Sequence, residues 1–136
     1  MQEVPLPKKA IPMIKLSLPL PPKDLNAHSS NHYWKRRKAT RQCRSDAATL
    51  ALQHRRKGFQ KGVISYKFWF PDNRPRDLAN YIQMCKAYVD GIVDAGIIPD
   101  DRWQVLSFGQ VSADIDREDP RVEIIIDGLP LIVAGE

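Results

Sequence analysis

One stretch of the chain concentrates the residue types that handle phosphate: Asp77-Leu78-Ala79-Asn80, then Lys86, Asp90, Asp94 and the adjacent pair Asp100-Asp101. Carboxylates repel a phosphodiester unless a divalent cation bridges the two. Magnesium takes oxygen ligands and is commonly held by one or two carboxylates plus substrate phosphate. Acids beside a lysine that neutralises charge in the transition state are therefore a donor set for metal-assisted phosphate chemistry. Each element also has a plain structural use. Asp77 suits the N-cap of a helix, and Lys86 with Asp90 is an i,i+4 pair worth about 0.2–0.5 kcal/mol on a solvated face. Asp100-Asp101 after Pro99 fits a turn, and Asp114, Asp116, Glu118 and Asp119 read as a solvated loop without chemistry.

The charge distribution points the same way. The net charge of +5 is unremarkable, but between His28 and Gly62 ten Lys or Arg accompany one acid, Asp46, whereas Asp77 to Asp119 holds nine acids and three bases. A cationic front half attracts a polyanion and releases its counterions on binding, and an acidic back half near phosphate requires a cation. Two cysteines, Cys43 and Cys85, are too few for a disulfide framework or a zinc cluster, and each falls in an apolar helical pattern. His28, His32 and His54 lack the spacing of a zinc site. No apolar run approaches a membrane span, and Met1 to Ala10 lacks the layout of a secretory signal. The expectation is a cytoplasmic protein with no membrane partner.

The elements that must position these residues follow from periodicity. The length of 136 residues fits one domain over 1–136, with an extended proline-rich arm over 1–13 and an apolar tail over 129–136. Ile14, Leu16 and Leu18 alternate with Lys15 and Ser17 as a strand that ends at the prolines 19, 21 and 22, and Lys23 to Trp34 reads as an irregular loop. From about Arg37 to Lys57, Cys43, Ala47, Leu50 and His54 fall at helical spacing, with Gly58 and Gly62 ending the helix. Arg37, Arg41, Arg44 and Arg55 share another face, the first three with no carboxylate beside them, and Lys35, Arg36 and Lys38 extend the cationic surface. Val63 to Phe70 is a strand with Ile64, Tyr66, Phe68 and Phe70 on one side. A second helix spans roughly Leu78 to Ala95, closed by Gly96 and barred from resuming by Pro99. Strands near Gln104–Ala113 and Val122–Asp127 complete an α+β order: a small mixed sheet with two main helices packed on it. On the second helix Ala79, Gln83, Lys86 and Asp90 form one polar stripe. Asp77 and Asp101 start far apart, because the helix spans roughly 25 Å. They meet only if the loop after Gly96 folds back or the next strand runs beside the helix start.

The ordered set Asp77, Asn80, Lys86, Asp90 and Asp100-Asp101, within Arg76-Asp77-Leu78-Ala79-Asn80 through Asp90 to Asp101, resembles the RusA-like Holliday junction resolvases, in their phage-type branch. That family looks like Asp-x-Asp-Asn at a helix start, a lysine further along and Asp-Asp beginning the next strand. Leu20-Pro21-Pro22, Asn26 and His32 to Trp34 are similar to the approach to the first helix in many phage relatives, so the resemblance extends from about Leu18 to Gly128. It implies a magnesium-dependent crossover junction endodeoxyribonuclease, with manganese as a substitute ion, 5′-phosphate products and an intertwined homodimer acting on four-way DNA junctions in recombination, repair or phage DNA processing. In that reading Asp77, Lys86 and Asp101 are catalytic, and Asp77, Asp101, Asp90 and Asp100 are candidate metal ligands. Asn80 and Ala79 shape the site. Lys35, Arg36, Arg37, Lys38, Arg41, Arg44 and Arg76 hold DNA, and Tyr33 or Trp34 either stacks on an exposed base or belongs to the core. The sequence departs from the family where Ala79 replaces the second Asp. Three explanations stand: a natural branch with fewer ligands, in which Asp90 supplies the missing charge; an engineered inactive variant; and a relative that binds junctions without cutting. The first is preferred. A small structural or RNA-associated basic protein is a further alternative, one that leaves the acidic helix without a use.

Overall fold

A computed structural model describes residues 13–26 and 33–130, except for the side chains of 55–57 and 130. The expected arm (up to residue 12), His28, His32 and the tail from residue 131 lie outside the described residues. Strand β1 (Ile14–Leu18) buries Ile14, Leu16 and Leu18 and exposes Lys15 and Ser17, as its alternation dictates. Helix α1 (Tyr33–Ala51) leads through a 3-10 segment (Leu52–Lys57) to strand β2 (Phe59–Phe70). Helices α2 (Leu78–Met84) and α3 (Lys86–Asp94) follow, then strands β3 (Leu106–Ile115) and β4 (Arg121–Pro130). The sheet order is β1-β4-β2-β3. β4 pairs antiparallel with β1 and β2, and β2 pairs parallel with β3. A parallel pair needs a long crossover, and α2 and α3 provide it.

The core lies between the helices and one sheet face. Ile14, Leu16, Ile64, Tyr66, Phe68, Val122, Ile124 and Ile126 contribute from the strands, and Cys43, Ala47, Ala51, Cys85, Tyr88, Val89 and Ile92 from the helices. Burying each of the larger side chains contributes about 1.5–3 kcal/mol. Cys43, Ala47 and Ala51 recur every fourth residue, so α1 presents a stripe of small side chains to α3. That stripe lets the two helices come close at Gly91, where an added Cβ would lie 2.9 Å from both the Ala47 Cβ and the Ala48 nitrogen. The architecture is therefore the expected small α+β fold, a four-stranded mixed sheet with two main helical units.

Several boundaries differ from those read in the sequence. α1 starts at Tyr33 rather than Arg37, and Lys23–Leu25 forms a 3-10 turn inside the expected irregular loop. Gly62 does not end the helix. It sits inside β2, where its N–H donates to the Val105 carbonyl at 2.8 Å and Ile98 packs over it. The second helix is divided at Cys85, whose ψ of −1° interrupts the regular turn. β3 begins at Leu106 because the N–H groups of Val105 and Leu106 turn back to the Arg102 carbonyl. β4 extends through Leu129 and Pro130, expected as tail, because they pair with Lys61 and Phe59 of β2. Gly96 closes α3 as expected, with φ of +80°.

Candidate metal and nucleic-acid site

Asp77 caps α2: its Oδ1 accepts from the Ala79 N–H at 3.0 Å and the Asn80 N–H at 3.3 Å. Its Oδ2 accepts no hydrogen bond among the described residues. Asn80, one turn on, donates from Nδ2 to the Met84 sulfur at 3.9 Å, and its Oδ1 is buried with no donor among the described residues. Ala79 is exposed and contributes no ligand.

The acids that the structure gathers lie further along. Lys86 opens α3, and its Nζ donates to Asp90 Oδ1 at 2.7 Å and to Asp101 Oδ2 at 2.5 Å. Those two oxygens are therefore at most about 5 Å apart, the sum of their distances to one nitrogen. The loop after Gly96 does fold back, but it brings Asp101 to the start of α3 rather than to the start of α2. Asp77 is nine residues before Lys86, roughly 13 Å of helical rise, and makes its contacts within α2. The Lys86 hydrogen bond and charge hold the Asp101 carboxyl below its ordinary range. Partial burial pulls Lys86 down, but its two carboxylate partners outweigh this and the net direction is up. The cluster is a lysine held between two carboxylates. Asp100 is used locally, accepting from the Asp101 N–H at 2.8 Å and from Arg102 at 3.2 Å.

Beside this cluster, between the helical crossover and β3, is a cavity of about 470 Å³. Its lining comprises buried Tyr66, Val89 and Leu106, half-buried Ile82, and exposed Gln83, Lys86, Asp101 and Phe108. β3 is an edge strand, so its helix-facing side chains are only partly covered, and Phe108 remains 59% exposed. The register of β2 against β3 shifts between Ile64 and Tyr66. At this bulge the Gln110 N–H donates to Ser65 Oγ at 3.2 Å, and a Cβ at Gly109 would lie 2.5 Å from that oxygen, so a larger residue there would have to turn the Ser65 hydroxyl aside. A bulge of this kind re-aims the neighbouring side chains, here Phe108 and Val111.

The expected DNA-contacting residues divide into three groups. Lys35, Lys38 and Arg41 are exposed on α1 and form no ion pair among the described residues. Arg36 donates to the Asn26 carbonyl and Arg37 to the Tyr33 hydroxyl, both remaining exposed. Arg44 corrects the expectation of a face without carboxylates: it grips Asp94 of α3 through two hydrogen bonds of 2.5 and 2.8 Å, and this pairing holds the Asp94 carboxyl below its usual range. Arg76 turns inward, pairing with Asp72 at 2.9 Å and lying over the Phe70 ring at 4.6 Å. Tyr33 and Trp34 are both exposed, edge to face at 5.2 Å. Cys43 and Cys85 are buried free thiols, and burial pushes Cys85 up to about 12, so neither supplies a thiolate.

The sequence pattern does not single out Gln83, Tyr66 and Phe108 as a group. Gln83 is visible on the polar stripe, but the approach of Phe108 depends on the parallel pairing of β2 and β3, for which sequence carries no local signal. No protein-family model matches the chain, and a search of curated proteins gives no match. Among the described residues there is no group of three or more His, Cys, Asp or Glu side chains that could hold a metal ion, and no helix is long and apolar enough to cross a membrane. The oxygen pair of Asp90 and Asp101 meets the smaller requirement of magnesium, one or two carboxylates with the remaining ligands from water and phosphate.

Proposed function

We propose that the chain is a magnesium-dependent, structure-selective endodeoxyribonuclease of the RusA-like kind that nicks four-way DNA junctions. The observation that carries this reading is the meeting of Asp90 and Asp101 at one cation, on the helix packed against cationic α1. Asp90 and Asp101 would hold magnesium, with Asp77 and its free Oδ2 roughly 13 Å of helical rise away and outside that pair. When bound, the ion would supply polarisation of the scissile phosphate and a coordinated water of lowered pKa. Lys86, freed from the carboxylates, would face the phosphate and neutralise charge there. Lys35, Lys38 and Arg41 hold the backbone of a DNA arm, contacts that position without reading sequence. A two-fold homodimer with one site per subunit matches the two equivalent strands of a four-way junction.

The decisive measurement is nicking of a four-way junction as magnesium is raised, beside retention of the same junction in calcium. Asp101→Asn should abolish nicking and leave retention equal or tighter, since a charge repelling phosphate is gone. Full cleavage by that variant removes Asp101 from the site.

A second reading, a junction-binding protein that does not cut, is favoured by two observations: Ala79 cannot bind a metal, and the Lys86 ammonium already occupies the place between the carboxylates. Under this reading the chain retains junctions and nicks nothing. Ala79→Asp then also nicks nothing at any magnesium concentration, whereas in an inactivated variant it creates activity from a near-zero baseline and in an active enzyme it gives a moderate gain at low magnesium.

A further inference from the structure

We infer that the cavity between β3 and the α2–α3 segment receives a single unpaired nucleobase from the branch point of the bound DNA, with Phe108 stacking on it and Gln83 reading its edge. This rests on the junction-binding reading and adds a specificity site to it. The volume, about 470 Å³, lies within the range of pockets that enclose small planar ligands, about 300–1,000 Å³. Enzymes that take a base out of its stack hold it between aromatic or apolar side chains and read its polar edge by hydrogen bonds. The required parts are present. Tyr66 and Phe108 lie 6.1 Å apart at 31°, and Leu106 and Val89 add apolar lining. The Gln83 amide provides a donor and an acceptor, Lys86 a donor and Asp101 an acceptor.

The placement of the cavity argues for DNA as the source of its occupant. Lys86 and Asp101 line the cavity and also belong to the carboxylate cluster, so a base seated there puts its own phosphate next to Asp101 and Asp90. The lining carries its own cation, Lys86, toward a strand's backbone, whereas Lys35 and Lys38 of α1 line a separate cavity beside Pro19 and Leu20, next to β1. A branch point also supplies the base cheaply, because nucleotides at a crossover are already poorly stacked and unpairing costs least there. A ring as exposed as Phe108, beside the bulge of an edge strand, then has a use that folding alone does not give it.

Photocrosslinking tests this without relying on cleavage. Junctions carrying 5-iodouracil at one position at a time on either side of the crossover are bound in calcium and irradiated, and the crosslinked peptide is mapped. The expected result is a crosslink within the segment Trp103–Arg117 at one or two positions beside the crossover, lost in Phe108→Ala while junction retention falls no more than about tenfold. In magnesium, Gln83→Leu should change the relative nicking of junctions differing only in the bases beside the crossover by about tenfold, the scale of one lost edge contact. Retained junctions with no crosslink to that segment overturn the base pocket and leave the junction reading standing. Crosslinks without nicking keep the pocket and overturn the catalytic reading. Failure to retain junctions overturns both. If Phe108→Asp turns a dimer into a monomer and no crosslink forms, the cavity is an interface between two copies and the base pocket falls.

Discussion

Gly91→Ala is the substitution whose outcome the packing fixes most firmly. Gly91 is on α3 where it meets α1, and a methyl group there would meet the Arg44 carbonyl, Ala47 Cβ and the Ala48 nitrogen, the latter two at 2.9 Å. Two of the three are backbone, which cannot swing aside as a side-chain tip would, so the helices must separate. On an open helix face the same change gains about 1 kcal/mol from helix propensity. Here overpacking costs typically 1–3 kcal/mol, and separation also loosens the contact of Cys43, Ala47 and Ala51 with α3. With two backbone contacts the steric term lies in the upper half of that range and exceeds the propensity gain, and the expected net loss is about 1–2 kcal/mol, or roughly 3–10 °C in Tm for a chain of this size. Guanidinium denaturation should show a lower midpoint with unchanged m, the signature of lost stability rather than an altered unfolded state. Ser45→Ala, exposed on α1, serves as the control and should stay within about 0.5 kcal/mol. A Gly91→Ala protein as stable as the parent, or more so, would refute the close approach of α1 and α3.

Three further outcomes follow from the charges. Lys86→Met should tighten magnesium binding about five- to tenfold by calorimetry, because a half-exposed ammonium about 4 Å from a divalent ion repels it by about 1 kcal/mol after screening; unchanged affinity would place the metal away from Asp90 and Asp101. In junction-binding titrations against salt, removing Lys35, Lys38 and Arg41 together should flatten the log–log slope by up to about three units. Arg44→Ala should hardly alter it, since Asp94 already neutralises Arg44; an equal effect from Arg44 would mean that the pair opens for DNA. Burial pushes the Glu123 carboxyl up, but Lys15 and Trp69 outweigh it and hold it below its ordinary 4.5. A depressed folded value gives stability that is present above the ordinary value and lost as the pH falls through the folded value. Glu123→Gln should therefore flatten the decline in stability below pH 4.5, and an acid limb identical to the parent's would assign that decline to other groups.

Sheet and helices were legible wherever one face is buried and the other wet. Ile14-Lys15-Leu16-Ser17-Leu18 and Ile64 through Phe70 alternate because helices cover one side of the sheet, and Cys43 with Ala47 repeats because α1 lies on α3. Element ends were less legible because tertiary contacts set them. Gly62 looks like a helix terminator until Val105 accepts its N–H, and Leu129 looks like a loose tail until Lys61 pairs with it. β3 shows why a central strand and an edge strand differ in sequence. With no helix directly over it, Phe108 and Val111 do not alternate cleanly with polar neighbours, and the bulge at Gly109 adds a further break in the pattern.

The site follows the same division between local and long-range information. What sequence spacing encodes is within reach of one helix: Asp77 caps α2 and Lys86 reaches Asp90 one turn on, both as their positions require. What spacing cannot encode is which carboxylate the return after Gly96 brings back, and the answer is Asp101 against Lys86. Rise along the helix explains why this matters. A loop anchored by Gly96 beyond the end of α3 must cover roughly 13 Å to reach α3's first turn and about as much again to reach Asp77, so the first turn of α3 is the nearer partner. The consequence is a pair of acids held around a lysine. In that arrangement Lys86 keeps two like charges together, and under the proposed function it is the residue that would have to move for a divalent ion to take its place.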